Sequence, residues 1–419
     1  MRDLTIDLES LRRECQSRTL AVPISDTVTA TNRAEETYHR AERASLLTSR
    51  LVLILIAVLV LATVASVYAL FFRSPRAVPT GTVTSVNSAA YDYYLRGKLK
   101  ATSENREQNE SAIKILEDVV KENPSFGPAY AELARAYGIK ANYFAPEAEQ
   151  QKLNEDARVY VEKALALDPN LAEGHFVRGY LLWTHPNRFP HEQAIQAVKR
   201  AVALDPNLEQ AHHHLGIMYF HIGLLDKAEE ELRQALAINP TDTLARFRLG
   251  SINVCRGKYE EALTVFKTVP REANAAIVDR ATADALLHLG RMQEASDVVE
   301  NYLKKNSTDE GGNVTSIKAL LLAKAGNQRD AEEMIQRAIE IGKGFQHFHH
   351  TTYNIAAAYA LMNKTDEALK WLQFTADDGF PCYPLFEQDS SLNNIRTDGR
   401  FIAFMTQQRQ QWEKYKSSL

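Results

Sequence analysis

Histidine is the residue type in this chain that most invites chemistry, because a neutral imidazole ligates metals and titrates near physiological pH. Twelve are present in 419 residues. His212, His213 and His214 are consecutive. On a helix they leave the axis about 100° apart, so they cannot meet at one ion. His213 and His221 could share a face but lie two turns apart. His347, His349 and His350 could converge at a helix start, yet no carboxylate or cysteine is placed in sequence to complete a set of four. The expectation is solvated or capping histidines, with no metal and no cofactor.

Other chemistry is absent from the sequence. Cys15, Cys255 and Cys382 are too few and too scattered for a disulfide framework or a metal knuckle. No nucleophile motif, glycine-rich phosphate loop or metalloprotease helix occurs, and Gly311-Gly312 reads as an isolated turn signal. The chain is therefore expected not to be an enzyme. A net charge of −4 gives no electrostatic reason to expect nucleic acid as a partner.

The elements that would position any of these side chains are helices. Residues 209–240 set the pattern. Ala211, Leu215, Met218 and Tyr219 recur at helical spacing, Gly223 interrupts, and Ala228, Leu232, Ala235 and Leu236 resume the period. Gly223 suits a left-handed turn, and Pro240 stops the second helix. Such a hairpin cannot bury its apolar face alone and needs neighbours of its own kind.

Copies are present. Counterparts of Ala228 stand at Ala112, Ala157, Ala194, Ala262, Ala295, Ala331 and Ala368, at successive spacings of 45, 37, 34, 34, 33, 36 and 37 residues. Gly216 of the first helix recurs as Gly97, Ala134, Gly179, Gly250, Ala283, Ala319 and Ala356. Small residues at both positions let two helix backbones approach closely. The longest spacing marks an insertion around residues 140–151, and a smaller one falls at 185–190. Insertions in repeat arrays lie on surface loops, often near a binding face.

The period, the Leu215-Gly216-x-x-Tyr219 of the first helix, Ala228, Leu232, Ala235 and the closing Pro240 resemble the tetratricopeptide repeat (TPR) family. His212 departs from the pattern, standing where that family usually has Trp. The resemblance implies an all-α fold, a superhelical solenoid of about eight helix hairpins over residues 89–382. Residues 383–419, with the polar Gln407, Gln408, Arg409, Gln410 and Lys414, are expected to form capping helices over the last repeat.

Residues 1–50 are polar and too few for a confident core. Residues 51–72 carry no charge and would span about 33 Å as a helix, enough to cross a bilayer. Arg40, Arg43 and Arg50 precede this run, against Arg73 and Arg76 after it. The positive-inside rule thus leans toward a cytoplasmic N-terminus, with the repeats on the far side of a bacterial inner membrane. Residues 73–88 read as an extended linker. A single span followed by TPR hairpins resembles the C-terminal part of bacterial membrane-bound winged-helix regulators and Ser/Thr kinases, although neither output domain is present here.

In the TPR family the first helices line the concave surface. The resemblance places Phe176, Tyr180, Trp183, His213, Phe220, His221 and Phe247 there, as a groove for a protein or peptide. Aromatic residues at helical spacing serve interhelix packing equally well. The function expected is a membrane-anchored scaffold or assembly factor, with self-association left open. The alternative is a membrane sensor that uses the solenoid as its input domain.

Overall fold

The computed structural model describes residues 88–419, apart from 102–104, 272–274 and 307. The chain divides into two units, Met1–Gly81 and Thr82–Leu419, and the described residues all belong to the second. The expected span at 51–72, the polar segment before it and most of the linker lie outside them. Among the described residues no helix is long and apolar enough to cross a membrane. Ser88, read from the sequence as linker, is the first residue of a helix.

Among the described residues, eight antiparallel helix hairpins follow one another. They are α1 (Ser88–Ala101) with α2 (Arg106–Glu122), α3 (Gly127–Ile139) with α4 (Glu147–Leu167), and α5 (Ala172–Leu182) with α6 (His191–Leu204). Next come α7 (Glu209–His221) with α8 (Leu225–Ile238), and α9 (Thr243–Cys255) with α10 (Tyr259–Phe266). The last three are α11 (Ala275–His288) with α12 (Met292–Lys305), α13 (Asn313–Lys324) with α14 (Gln328–Gly342), and α15 (Phe348–Leu361) with α16 (Thr365–Asp377). Two further helices, α17 (Tyr383–Gln388) and α18 (Gly399–Ser418), end the chain. No strand occurs among the described residues.

The small-residue pairs explain the hairpins. All eight alanines of the second helices are fully buried. At Gly216 an added Cβ would stand 2.6 Å from Leu232 Cγ and 3.2 Å from the Ala228 carbonyl oxygen, so the two backbones touch where the repeat pattern pairs them. Gly223 takes φ +73°, the left-handed turn its position called for.

The tail departs from the expected cap. Its helices fold back over earlier repeats instead of closing only the last one. The Trp412 indole N–H donates to the Gly223 carbonyl at 2.9 Å, Gln388 Nε2 donates to the Val254 carbonyl at 2.7 Å, and Lys199 Nζ reaches the Leu419 carbonyl at 2.8 Å. Gln408, assigned to a solvated cap, is only 5% exposed. The polar look of α18 misleads because its buried positions, Phe401, Phe404, Gln408 and Tyr415, form a narrow stripe.

Candidate functional site

The interior of the superhelix is closed by contact between its fourth and eighth repeats. At the end of α7, Phe220 lies 5.7 Å, ring to ring, from Phe380, and His221 lies 5.1 Å from His349 and 5.2 Å from His350 of α15. Trp183, at the end of α5, packs edge-on against His221 at 4.8 Å and tilted over His347 at 5.9 Å. The insertion at 185–190 contributes Phe189. Its left-handed backbone (φ 45°, next to Arg188 at φ 55°) turns this ring inward against Gly379, where a Cβ would collide with it. Bulky residues rarely adopt such angles unless packing over-determines them.

This closure corrects the open aromatic groove expected from the sequence. Phe176, Trp183, His213, Phe220, His221 and Phe247 are all buried, and Tyr180 is half-buried. Trp183 is 8% exposed, Phe220 3% and Phe247 0%. Phe247 lies tilted against Phe266, 5.5 Å ring to ring, within its own hairpin and is fully buried, so it is a packing residue. His213 meets the Asp242 carboxylate that caps α9, away from the His221 cluster. A single-helix view cannot reveal that the solenoid winds tightly enough to fill its own concavity.

The consecutive histidines do diverge. His212 Nδ1 is 2.6 Å from Glu231 and its Nε2 3.0 Å from the Pro206 carbonyl; His214 Nδ1 donates to the Gln210 carbonyl at 2.9 Å. The second group behaves differently. His221, His347, His349 and His350 each offer a ring nitrogen, and the four lie within 4.8 Å of one another. Burial holds His221, His347 and His350 well below the ordinary histidine pKa and lowers His349 as well, where Asp378 acts against it. The sequence displayed three of them at a helix start. The fourth, His221, is 126 residues upstream of His347, and no spacing rule connects them.

Second-layer contacts orient two of these rings. His221 Nδ1 donates to the Ile217 carbonyl at 2.8 Å, and His349 Nδ1 donates to the Asp378 carbonyl at 2.7 Å. The Asp378 carboxylate stands 3.6 Å from the same His349 nitrogen and 2.6 Å from His185 Nδ1. These hydrogen bonds leave the Nε2 atoms of His221 and His349 aimed away from their backbone partners. His221 Nε2 and His350 Nε2 are buried and find no protein partner.

Solvent reaches the molecule elsewhere. A cleft of about 1190 Å³ opens between the second-repeat insertion and the edge formed by α12, α13 and α14. The insertion begins with a π-helical turn, Lys140–Phe144, which extends α3 and puts Tyr143 (44% exposed) on one wall with Gln150. Lys318, Met334, Arg337 and Phe345 stand on the other. Single π-turns within helices recur at functional positions. Three acidic residues (Asp309, Glu310, Glu340) and three basic ones (Lys318, Arg337, Lys343) line it, so its charges balance. The 45-residue spacing was the sequence signal for this feature, although which repeats it would face was not readable.

With the geometry in hand, comparisons place the fold. A family model described as a tetratricopeptide repeat-like domain matches residues 208–324. No curated protein matches the chain by sequence. Among solved structures, the Rap protein complexed with competence and sporulation factor superposes with a TM-score of 0.60 at 11% identity, covering 80% of this chain and 100% of that one. A tetratricopeptide repeat protein from Parabacteroides merdae gives 0.44 at 17% identity, covering 65% and 98%, and yeast Tom70 gives 0.41 at 16%, covering 78% and 69%. At such identities the likeness is one of fold. The described chain is a TPR-like helical solenoid, and its residues 208–324 match a TPR-like domain.

Proposed function

We propose that this chain is a membrane-anchored interaction scaffold whose solenoid holds a protein segment in the cleft between its insertion and repeats six and seven. The observation that carries the reading is the cleft itself, large enough for an extended or single-turn segment and bounded by an exposed aromatic. Its balanced lining suits a polar segment without strong net charge. The TPR-like fold suggests a protein–protein interaction scaffold in general terms. The filled interior argues for the cleft over the concave face as the docking surface.

The anchor in this proposal is the uncharged run at 51–72, with the N-terminus cytoplasmic and the solenoid on the other side. Protease added to intact spheroplasts should digest the solenoid; complete protection would reverse the orientation. For the docking surface, a photo-crosslinking amino acid at Tyr143 of the full chain should trap a partner in vivo. The same group at Ile238, which is also exposed, should not. Equal trapping at both positions, or none at Tyr143, would remove the cleft as the binding surface.

A further inference from the structure

We propose that His221, His347, His349 and His350 form a binding site for a single divalent ion of the zinc class, which clasps the fourth repeat to the eighth. The inference is independent of the docking surface proposed above. It begins from the four ring nitrogens, which converge within 4.8 Å from two helices far apart in sequence.

Geometry favours a tetrahedral ion. Zinc–imidazole bonds of about 2.0–2.1 Å put neighbouring ligand nitrogens about 3.3–3.4 Å apart at the corners of a tetrahedron. His347 Nδ1 and His349 Nε2 stand 3.4 Å apart, too far for a good mutual hydrogen bond and close to that edge length. Bringing the remaining pairs from at most 4.8 Å to the same edge needs shifts of about 1 Å, within the reach of imidazole rotation.

The surroundings match a metal centre more closely than a packed aromatic core. Two buried nitrogens, His221 Nε2 and His350 Nε2, have no protein partner, whereas buried polar atoms are ordinarily paired. His221 and His349 each donate their other nitrogen to a backbone carbonyl, which fixes the tautomer and leaves a lone pair on Nε2. Asp378 supplies a carboxylate behind His349, the usual outer partner of a ligating histidine. Trp183, Phe189, Phe220 and Phe380 pack their rings around the cluster. Half-buried His347 gives the ion a way in.

Donor chemistry sets the class. Four neutral imidazoles with no thiolate suit Zn2+, Cu2+, Ni2+ or Co2+ and disfavour Mg2+ and Ca2+, which take oxygen ligands. Arg248, 5.6 Å from the Phe220 ring centre, and Arg280 both disfavour added positive charge here, whereas Asp378 favours it at His349. A filled four-coordinate site has no open position, so the ion is structural. Its effect is to lock the superhelix shut.

The test uses the full chain, stripped with a chelator and titrated with Co2+. Wild type should take up one ion per chain, give visible bands of tetrahedral intensity, and lose them to stoichiometric Zn2+. His350→Gln and His221→Gln should abolish the bands and weaken Zn2+ binding by more than about 100-fold, beyond what loss of an outer partner costs. His213→Gln, which disables the separate Glu209–His213–Asp242 group, should leave them unchanged. X-ray absorption of Zn2+-loaded wild type should show four nitrogen neighbours and needs no variant to fold. The proposal is overturned by wild type that binds no ion, by an oxygen-rich shell, or by bands lost only in His213→Gln.

Discussion

Trp412 donates its indole N–H to the carbonyl of Gly223 at 2.9 Å, joining residues 189 positions apart. Pro384 packs on the same glycine, 2.5 Å from where a Cβ would stand. The turn of the fourth hairpin is thus both left-handed and covered by the tail. Trp412→Phe keeps the ring and loses the hydrogen bond, at a cost of about 1 kcal/mol. Gly223→Ala adds left-handed strain to a steric clash and should cost about 2 kcal/mol. Because the two share one contact, the double variant should lose less than the sum. Urea midpoints of the three variants measure this, and strict additivity would show the contact to be unimportant.

The tail also changes how the solenoid should unfold. Repeat arrays are quasi-one-dimensional, each unit touching only its neighbours. Here the tail and the loop before α18 bind repeats three, four, five, six and eight at once, through Glu192, Gly223, Val254, His288 and Tyr353. The full chain should therefore unfold in one transition, with circular dichroism and tryptophan fluorescence coinciding. A chain ending at residue 382 should broaden and split the two signals. Coincident curves in the truncated chain would show that the repeats cooperate without the tail.

The small-residue pairing makes a sharper prediction. Gly216→Ala places a methyl against Leu232 and the Ala228 carbonyl and should cost about 1–3 kcal/mol by forcing the hairpin apart. Gly290→Ala meets nothing within 4 Å, and only its φ of +73° resists, so the cost should be about 1 kcal/mol. Thermal or urea denaturation of both variants decides it. A larger loss at Gly290 would mean that backbone strain, not helix approach, drives glycine usage here.

That pairing is also where the sequence spoke most clearly. Gly216 and Ala228 are local to one hairpin, so a 34-residue period reveals them, and the same holds for Gly223 at its turn. The interior was illegible because it depends on superhelix pitch, a property of summed small rotations between repeats. Phe247 and Phe220 both stand on first helices of adjacent repeats, yet one packs within its hairpin and the other crosses to Phe380. His221 and His350 meet for the same reason. The tail's placement is not legible in sequence because a polar helix with few apolar residues looks like a cap, whereas its Trp412, Phe404 and Tyr415 pack it across other repeats.

The charged core beside the tail predicts how stability depends on pH. His288 Nε2 lies 2.9 Å from Asp389 Oδ1 and Nδ1 lies 3.4 Å from Asp284, with the Tyr259 ring stacked at 4.7 Å. The Tyr353 hydroxyl donates to the other Asp389 oxygen at 2.5 Å. Burial disfavours the imidazolium, but Asp284 and Asp389 outweigh it and hold His288 up to about 11. Burial likewise disfavours the Asp389 carboxylate, yet His288, Tyr353 and the Ser391 N–H bring it down to about 2. The native state therefore keeps a proton on His288 that the unfolded chain releases above about 6.5. Stability from this histidine is complete below that pH and falls as the pH rises toward 11. Asp389 contributes the opposite flank, complete above about 3.8 and lost as the pH falls toward 2. His288→Gln leaves two carboxylates without their cation and should cost about 3–5 kcal/mol near pH 5. The gap between wild type and variant should narrow steadily toward pH 9, because only wild type loses the imidazolium's contribution. Urea midpoints across that range measure the gap, and a constant difference would mean that His288 is neutral in the folded protein.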